Sequence, residues 1–278
     1  MSYSDATFAG QTCVITGAAS GIGRALAVRL GKAGAMLALS DVNEEGLAET
    51  AALAGGKASN KILTDRLDMA DAAAIKAYAP KVKEAFGSAQ HVMNVAGLAR
   101  VGSFEETDIE AMEKVVDVNF WGVVRMSKAF LPQLIESKGH LTNISSVFGF
   151  IGYPGNAHYC ASKFAVRGFS ETIGMELKEK GVQVHSVHPG GIDTNIVRNA
   201  EIDALPDGME SRADLEKRFE SNVRTSADEA AAVILKGLER NNPRILIGPD
   251  AHVISATQRL LPRRYAPVLG WIMDKWQN

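Results

Sequence analysis

Residues 12–23 read Thr12-Cys13-Val14-Ile15-Thr16-Gly17-Ala18-Ala19-Ser20-Gly21-Ile22-Gly23. A short apolar and β-branched run, Thr12 to Thr16, passes straight into a turn containing Gly17, Gly21 and Gly23. Ile22, Ala25, Leu26 and Leu30 then recur at helical spacing, so Gly21 to Gly34 reads as a helix. A strand, a glycine turn and a helix in that order let backbone N–H groups approach a pyrophosphate at a helix N-terminus. The spacing is not GxGxxG, and taken alone the string is equally a glycine-rich chain reversal. Its place between a strand and a helix is the context that favours a dinucleotide.

Outward from this turn the pattern repeats. Met36 to Ser40 reads as a second strand ending at Asp41, and Asn43 can cap a helix through Leu53. Lys61 to Leu67 is a third strand, followed by a helix from Ala70 to Phe86; His91 to Val95 is a fourth. Helical segments follow over Asp108 to Val118 and Phe120 to Glu136. His140 to Ser145 is a fifth strand, Ala157 to Lys180 a long helix and Val182 to His188 a sixth strand. Ala227 to Arg240 is a helix, and Arg244 to Gly248 a seventh strand. Such alternation implies right-handed βαβ crossovers. The expected fold is therefore α/β: a doubly wound, Rossmann-type, seven-stranded parallel sheet with helices on both faces, in a single domain. The domain is taken as residues 1–250, with a polar insertion over 193–225 and an apolar–basic extension over 251–278.

Composition narrows the functional classes. The chain has 278 residues, 46% hydrophobic, with a net charge of −2. That length supports one substantial core, and nothing basic enough for nucleic acid stands out. Cys13 and Cys160 are the two cysteines, which fits a reducing compartment better than a disulfide scaffold. Met1 to Gly10 lacks the features of a secretory signal, so the cytoplasm is the expected location. No set of metal ligands is singled out.

Asp41, at the end of the second strand, can accept hydrogen bonds from both adenosine ribose hydroxyls and repels a 2′-phosphate. Ser20 and Val42 supply no cation for that phosphate, so NAD is expected over NADP. Asp68-Met69 and Asn94-Val95-Ala96-Gly97 follow the third and fourth strands, at the carboxyl edge where open α/β sheets bind ligands. Asp68 reads equally as the N-cap of the next helix. Tyr159 and Lys163 stand four residues apart on one helix face. An ammonium beside a phenol favours the phenolate, which makes a proton acceptor nearer neutral pH. Ser146 follows the fifth strand and can hydrogen-bond a substrate oxygen.

Together these strings resemble the short-chain dehydrogenase/reductase family over about Thr12 to Gly248. The matching strings are Thr16 to Gly23, Asn94 to Gly97, Tyr159-Cys160-Ala161-Ser162-Lys163 and Pro189-Gly190-Gly191-Ile192-Asp193-Thr194. The resemblance implies a tetrad: Tyr159 as acid/base, Lys163 lowering its pKa and binding the nicotinamide ribose, Ser146 orienting substrate, and Asn119 holding a relay water. Ser146 is preferred to Ser145 because the family's serine lies thirteen positions before its tyrosine. The implied cofactor contacts are Gly17, Ser20, Gly21, Ile22, Gly23, Asp41, Asp68, Met69, Asn94, Ala96, Gly97, Tyr159, Lys163, Pro189, Gly190, Ile192 and Thr194. Ile192 and Thr194 would hold the nicotinamide carboxamide. Val95 departs from the family's usual asparagine.

Phe148, Phe150, Ile151 and Tyr153 suggest a greasy pocket, hence a lipophilic secondary alcohol or ketone. Leu205, Met209 and Phe219 in the polar insertion could line it too. The extension interleaves Val253, Ile254, Leu260, Leu261, Val268, Leu269, Trp271, Ile272 and Trp276 with Arg259, Arg263 and Arg264. Packing over the substrate site or a second subunit is favoured there over a membrane surface. The family commonly forms homodimers and homotetramers, and either is expected. A non-catalytic dinucleotide-binding scaffold is the competing class; it predicts loss of a tetrad member, and none is lost.

Overall fold

The computed structural model describes residues 4–55, 61–206 and 208–270. Seven strands form one parallel sheet: β1 (Thr12–Thr16), β2 (Met36–Asp41), β3 (Ile62–Arg66), β4 (His91–Asn94), β5 (His140–Ile144), β6 (Gln183–Pro189) and β7 (Arg244–Ile247). Their order is β7-β6-β5-β4-β1-β2-β3, and every pairing is parallel. The order reverses between β1 and β4, so the crevice at their carboxyl ends is the topological switch point.

Alternation along each strand sends side chains to two cores. Cys13, Ile15, Leu37 and Leu39 meet Leu26 and Leu30 of α1 (Gly21–Ala33), Leu47 of α2 (Glu44–Ala54) and the apolar stripe of the helix Ala227–Glu239. Val14, Ala38, Val92 and Leu141 face the other way, onto α3 (Ala72–Phe86) and onto Met126, Phe130 and Leu134. Each fully buried Leu, Ile or Phe contributes about 1.5–3 kcal/mol. Such burial on both faces outweighs the weak helix propensity of the glycine-rich first turn of α1.

The helical segments after β4 are joined rather than separate. α4 (Ile109–Val116) continues through a π turn, Asp117–Trp121, into α5 (Gly122–Ser137). Next come α6 (Ala157–Leu177), α7 (Arg212–Asn222), α8 (Ala227–Glu239) and α9 (Pro249–Leu260). Helix α3 starts at Ala72 rather than Ala70 because Asp71 is its N-cap, accepting from Ala73 and Ala74 N–H. Asp68 therefore does not cap that helix; its Oδ1 accepts Ala70 N–H at 2.9 Å within the preceding turn.

The polar insertion is partly regular. α7 opens with a capping box in which Ser211 and Asp214 satisfy each other's backbone N–H groups. One two-residue parallel ladder ties its ends, Ile192–Asp193 to Thr225–Ser226, and another anchors its interior, Glu201–Ile202 to Arg100–Val101. Arg100 also pairs with both Glu201 and Asp203.

The expected boundary after residue 250 falls inside α9. Ala251 and Ile254 of α9, with Leu269, bury against Val147, Phe150 and Ile151. Tyr265 Oη accepts Gly152 N–H at 3.2 Å. The described part of the extension thus covers the segment after β5. Trp271, Ile272 and Trp276 lie outside the described residues. Among the described residues no helix is long and apolar enough to cross a membrane.

Candidate active site

The carboxyl ends of β1, β2, β4, β5 and β6 converge on one crevice. Gly17 has φ +67°, a region costly for any residue with a Cβ. A Cβ there would also lie 2.7 Å from the Ala96 backbone. The turn is seated against the Asn94–Gly97 string by Thr16, whose Oγ1 accepts from both Val95 and Ala96 N–H at 3.1 Å. A Cβ on Gly23 would overlap the Gly17 carbonyl oxygen. Ser20 is the N-cap of α1 and makes no side-chain cap bond, and the first turn carries no acid. The N-terminus of α1, Gly21 and Ile22 included, is thereby open to an anion.

Asp41 closes the far side. Its Oδ2 accepts Ala19 N–H and its Oδ1 accepts Asn43 N–H, both at 3.0 Å. The carboxylate is thus fixed at the glycine turn, while its neighbour Val42 is 52% exposed and uncharged. Two of the proposed cofactor contacts point elsewhere. Asn94 donates to Asn143 Oδ1 at 2.8 Å inside the sheet, and the Met69 side chain is buried against Gly122.

Tyr159 and Lys163 sit in the first two turns of α6. The Lys163 Nζ is 5.6 Å from the Tyr159 ring centroid and donates to the Ile144 carbonyl at 3.0 Å. A Cβ on Gly97 would lie 3.1 Å from Asn119 Oδ1, tighter than ordinary contact, and 3.4 Å from this ammonium. The adjacent serines separate cleanly. Ser145 Oγ is spent on the Lys163 carbonyl at 2.8 Å. Ser146 Oγ accepts Phe148 N–H at 3.1 Å, and its side chain acts to lower the Tyr159 pKa.

Asn119 is fully buried in the π turn. Its Oδ1 accepts Leu98 N–H at 2.8 Å, and its Nδ2 donates to Leu98 O at 2.9 Å and Ser162 Oγ at 3.2 Å. Both amide donors are spent, so the side chain acts as a brace between the β4 loop and α6. π turns widen a helix by one residue and recur at functional sites.

Burial decides the electrostatics. It pushes the Tyr159 hydroxyl up to about 12, against the opposing hydrogen bond from Ser146. It brings Lys163 down to about 8. The lowering of the Tyr159 pKa by its neighbour, expected from charge alone, is overridden because desolvation penalises both charged forms. The neutral phenol is the resting form.

His188 is a residue the motifs did not reveal. Burial holds it near 4, hence neutral. Its Nδ1 is 3.1 Å from the Ser146 carbonyl, which can only accept, so Nδ1 carries the proton. Nε2 then accepts from Ser186 Oγ at 2.9 Å, and the ring stacks on Phe150 at 4.2 Å. The only signal for it in the sequence is a histidine inside an apolar strand.

The four apolar residues after Ser146 divide. Phe148 stacks on Tyr153 at 5.0 Å and meets Tyr159 edge-on at 6.2 Å, flanking the site. Phe150 and Ile151 are each 3% exposed and belong to the core under α9, so they do not line a pocket. Leu205, Met209 and Phe219 are half-buried. Pro189 ends β6, Ile192 is buried, and Thr194 brings its methyl 3.1 Å from the position of a Cβ on Gly21. The 189–194 segment thus comes up against the glycine turn at Gly21.

Comparison with known proteins agrees with this geometry. SadH of Mycobacterium tuberculosis is 41% identical over 262 residues, covering 93% of this chain and 94% of SadH. The 2,5-dichloro-2,5-cyclohexadiene-1,4-diol dehydrogenase LinX of Sphingobium indicum is 40% identical over 201 residues, covering 71% and 79%. A short-chain dehydrogenase/reductase from Burkholderia phymatum, solved in complex with NAD, superposes with a TM-score of 0.81 at 27% identity, covering 91% of this chain and 94% of that one. The short chain dehydrogenase model matches residues 11–204. With that match across most of its length, the chain belongs to the short-chain dehydrogenase family of oxidoreductases.

Proposed function

We propose that this protein transfers a hydride between NAD and a lipophilic secondary alcohol or ketone, with Tyr159 as the acid/base. The observation that carries this reading is the meeting of Ser146, Tyr159 and Lys163 opposite an uncapped helix N-terminus. Bound NAD would supply the hydride acceptor for alcohol oxidation. Gly17, Ser20, Gly21, Ile22 and Gly23 fit its pyrophosphate, because the N–H groups of the α1 N-terminus have no competing side-chain cap. Asp41 fits its adenosine ribose, and its charge disfavours a 2′-phosphate; the Burkholderia phymatum relative was solved with NAD.

In oxidation Tyr159 Oη accepts the alcohol proton while Ser146 Oγ hydrogen-bonds the same oxygen. In reduction the neutral phenol gives that proton back to the carbonyl. A Tyr159 held near 12 is suited to the second role as it stands. The first requires positive charge close by, which Lys163 provides while protonated, below about 8. Asn119 braces the helix that carries both residues.

The rings of Phe148 and Tyr153 beside Tyr159 favour a lipophilic substrate, and the name of LinX describes a cyclic diol dehydrogenase. The 193–225 segment is proposed as the substrate loop. Exposed Phe104, Ile109 and Trp121, before, at the start of and just after α4, support assembly as a homodimer or homotetramer, to be checked by sedimentation. Two buried free cysteines accord with the reducing cytoplasm. The test is NAD reduction over cyclic, long-chain and short polar alcohols. Faster turnover of the apolar panel is expected; a preference for sugars or short polyols would remove the lipophilic assignment.

A further inference from the structure

We infer that Asp250, in the first turn of α9, is a positioning residue for the nicotinamide end of the cleft. This rests on the NAD reading above. The chain leaves β6 at Pro189 and turns through Gly190 and Gly191 to Ile192. Gly190 N–H bonds the Ile247 carbonyl at 3.0 Å, and the Gly191 carbonyl accepts Arg224 N–H at 2.9 Å. The remaining donor, Gly191 N–H, is taken by Asp250 Oδ2 at 2.6 Å.

Three features separate this contact from ordinary helix capping. The distance is short for N–H···O, as charge-assisted bonds are. The carboxylate is 8% exposed, and its Oδ1 has no hydrogen-bond partner. Burying a carboxylate in that state costs stability, which helix formation by α9 does not require. Finally, the loop is shaped around it. A Cβ on Gly190 would overlap Oδ2, and one on Gly248, where φ is +92°, would overlap Oδ1. Two glycines flank the carboxylate so that it can reach the turn. The segment it holds carries Ile192 and Thr194 to the cleft wall facing Gly21. The short ladder to Thr225–Ser226 begins only at Ile192, beyond the turn. Asp250 is therefore the side chain that sets the direction in which residues 192–194 enter the cleft.

The test uses the full chain with Asp250→Asn and Asp250→Ala. NADH binding is followed by fluorescence titration, alongside KM for NAD, KM for alcohol, and the urea midpoint. A hydrogen bond to a charged acceptor is worth about tenfold or more in a binding constant, and a neutral one less. The Ala variant should bind NADH about tenfold more weakly, with KM for NAD rising and KM for alcohol nearly unchanged. The Asn variant, which keeps an oxygen in place, should lose about fivefold. A shifted urea midpoint with wild-type NADH affinity would overturn the inference and leave Asp250 a structural residue. If the Ala variant fails to fold, the isosteric Asn variant decides by the same criterion. Failure of the wild-type protein to bind NADH would instead overturn the NAD reading, and this inference with it.

Discussion

At the amino ends of β4, β5 and β6, on the sheet edge opposite the active site, three imidazoles form a stack. His91 lies 4.8 Å from His140, and His140 5.3 Å from His185, in near-parallel planes. Burial first, and then the neighbouring imidazoles, push His91 down to about 3. A histidine whose folded pKa lies below its unfolded value near 6.5 contributes stability that is complete above that value. The contribution is lost as pH falls from 6.5 toward 3, because only the unfolded chain gains the proton. Between pH 8 and pH 5 the unfolded His91 takes up nearly one proton and the folded one almost none. At about 1.4 kcal/mol per pH unit, the loss is about 2 kcal/mol from this residue. His91→Phe keeps an aromatic ring between Phe8, 5.2 Å away, and His140. It gives up no bond at Nδ1, which has no hydrogen-bond partner. Urea unfolding of both proteins at pH 8 and pH 5 should show the variant losing about 2 kcal/mol less than wild type on acidification. His140 and His188, also held near 4 by burial, leave a residual acid sensitivity in both. An identical pH dependence in the two proteins would refute the reasoning.

Further outcomes follow from the site. Asp41→Ala should shift cofactor preference toward NADP by about tenfold or more in relative kcat/KM, since like charges a few ångströms apart near a surface repel by a few kcal/mol. An unchanged NAD/NADP ratio would take Asp41 out of the ribose site. Ser146→Ala should lower kcat about a hundredfold or more with a small change in urea midpoint. Ser145→Ala, which strips the Lys163 carbonyl of its buried donor, should cost about 1–3 kcal/mol of stability; equal kinetic losses in the two variants would undo the distinction.

The sheet was readable because its strands are buried runs set off by amphipathic helices, and periodicity reports burial directly. The nearness of Ser146, Tyr159 and Lys163 was readable because Ser146 follows a strand and the other two share one helix face. What escaped has physical reasons. α7 is so polar that no apolar period marks it, although the Ser211-to-Asp214 capping-box spacing was there to be read. Asn119 looked like a gap between two helices, because a π turn inserts a residue and breaks the 3.6 period. Phe150 and Ile151 looked like pocket walls until α9, a hundred residues on, covered them. Asp250, His188 and the Arg100–Asp203 pairing depend on contacts between distant segments that no local pattern encodes.

The central claim is that Tyr159 moves the substrate proton. Tyr159→Phe removes one hydroxyl and leaves the ring edge-on to Phe148. Steady-state NAD reduction with the best alcohol of the panel, measured together with NADH affinity, tests it most directly. The variant's kcat should fall by about 10²–10⁴ with NADH affinity within about twofold of wild type. Wild-type turnover in the variant would contradict it.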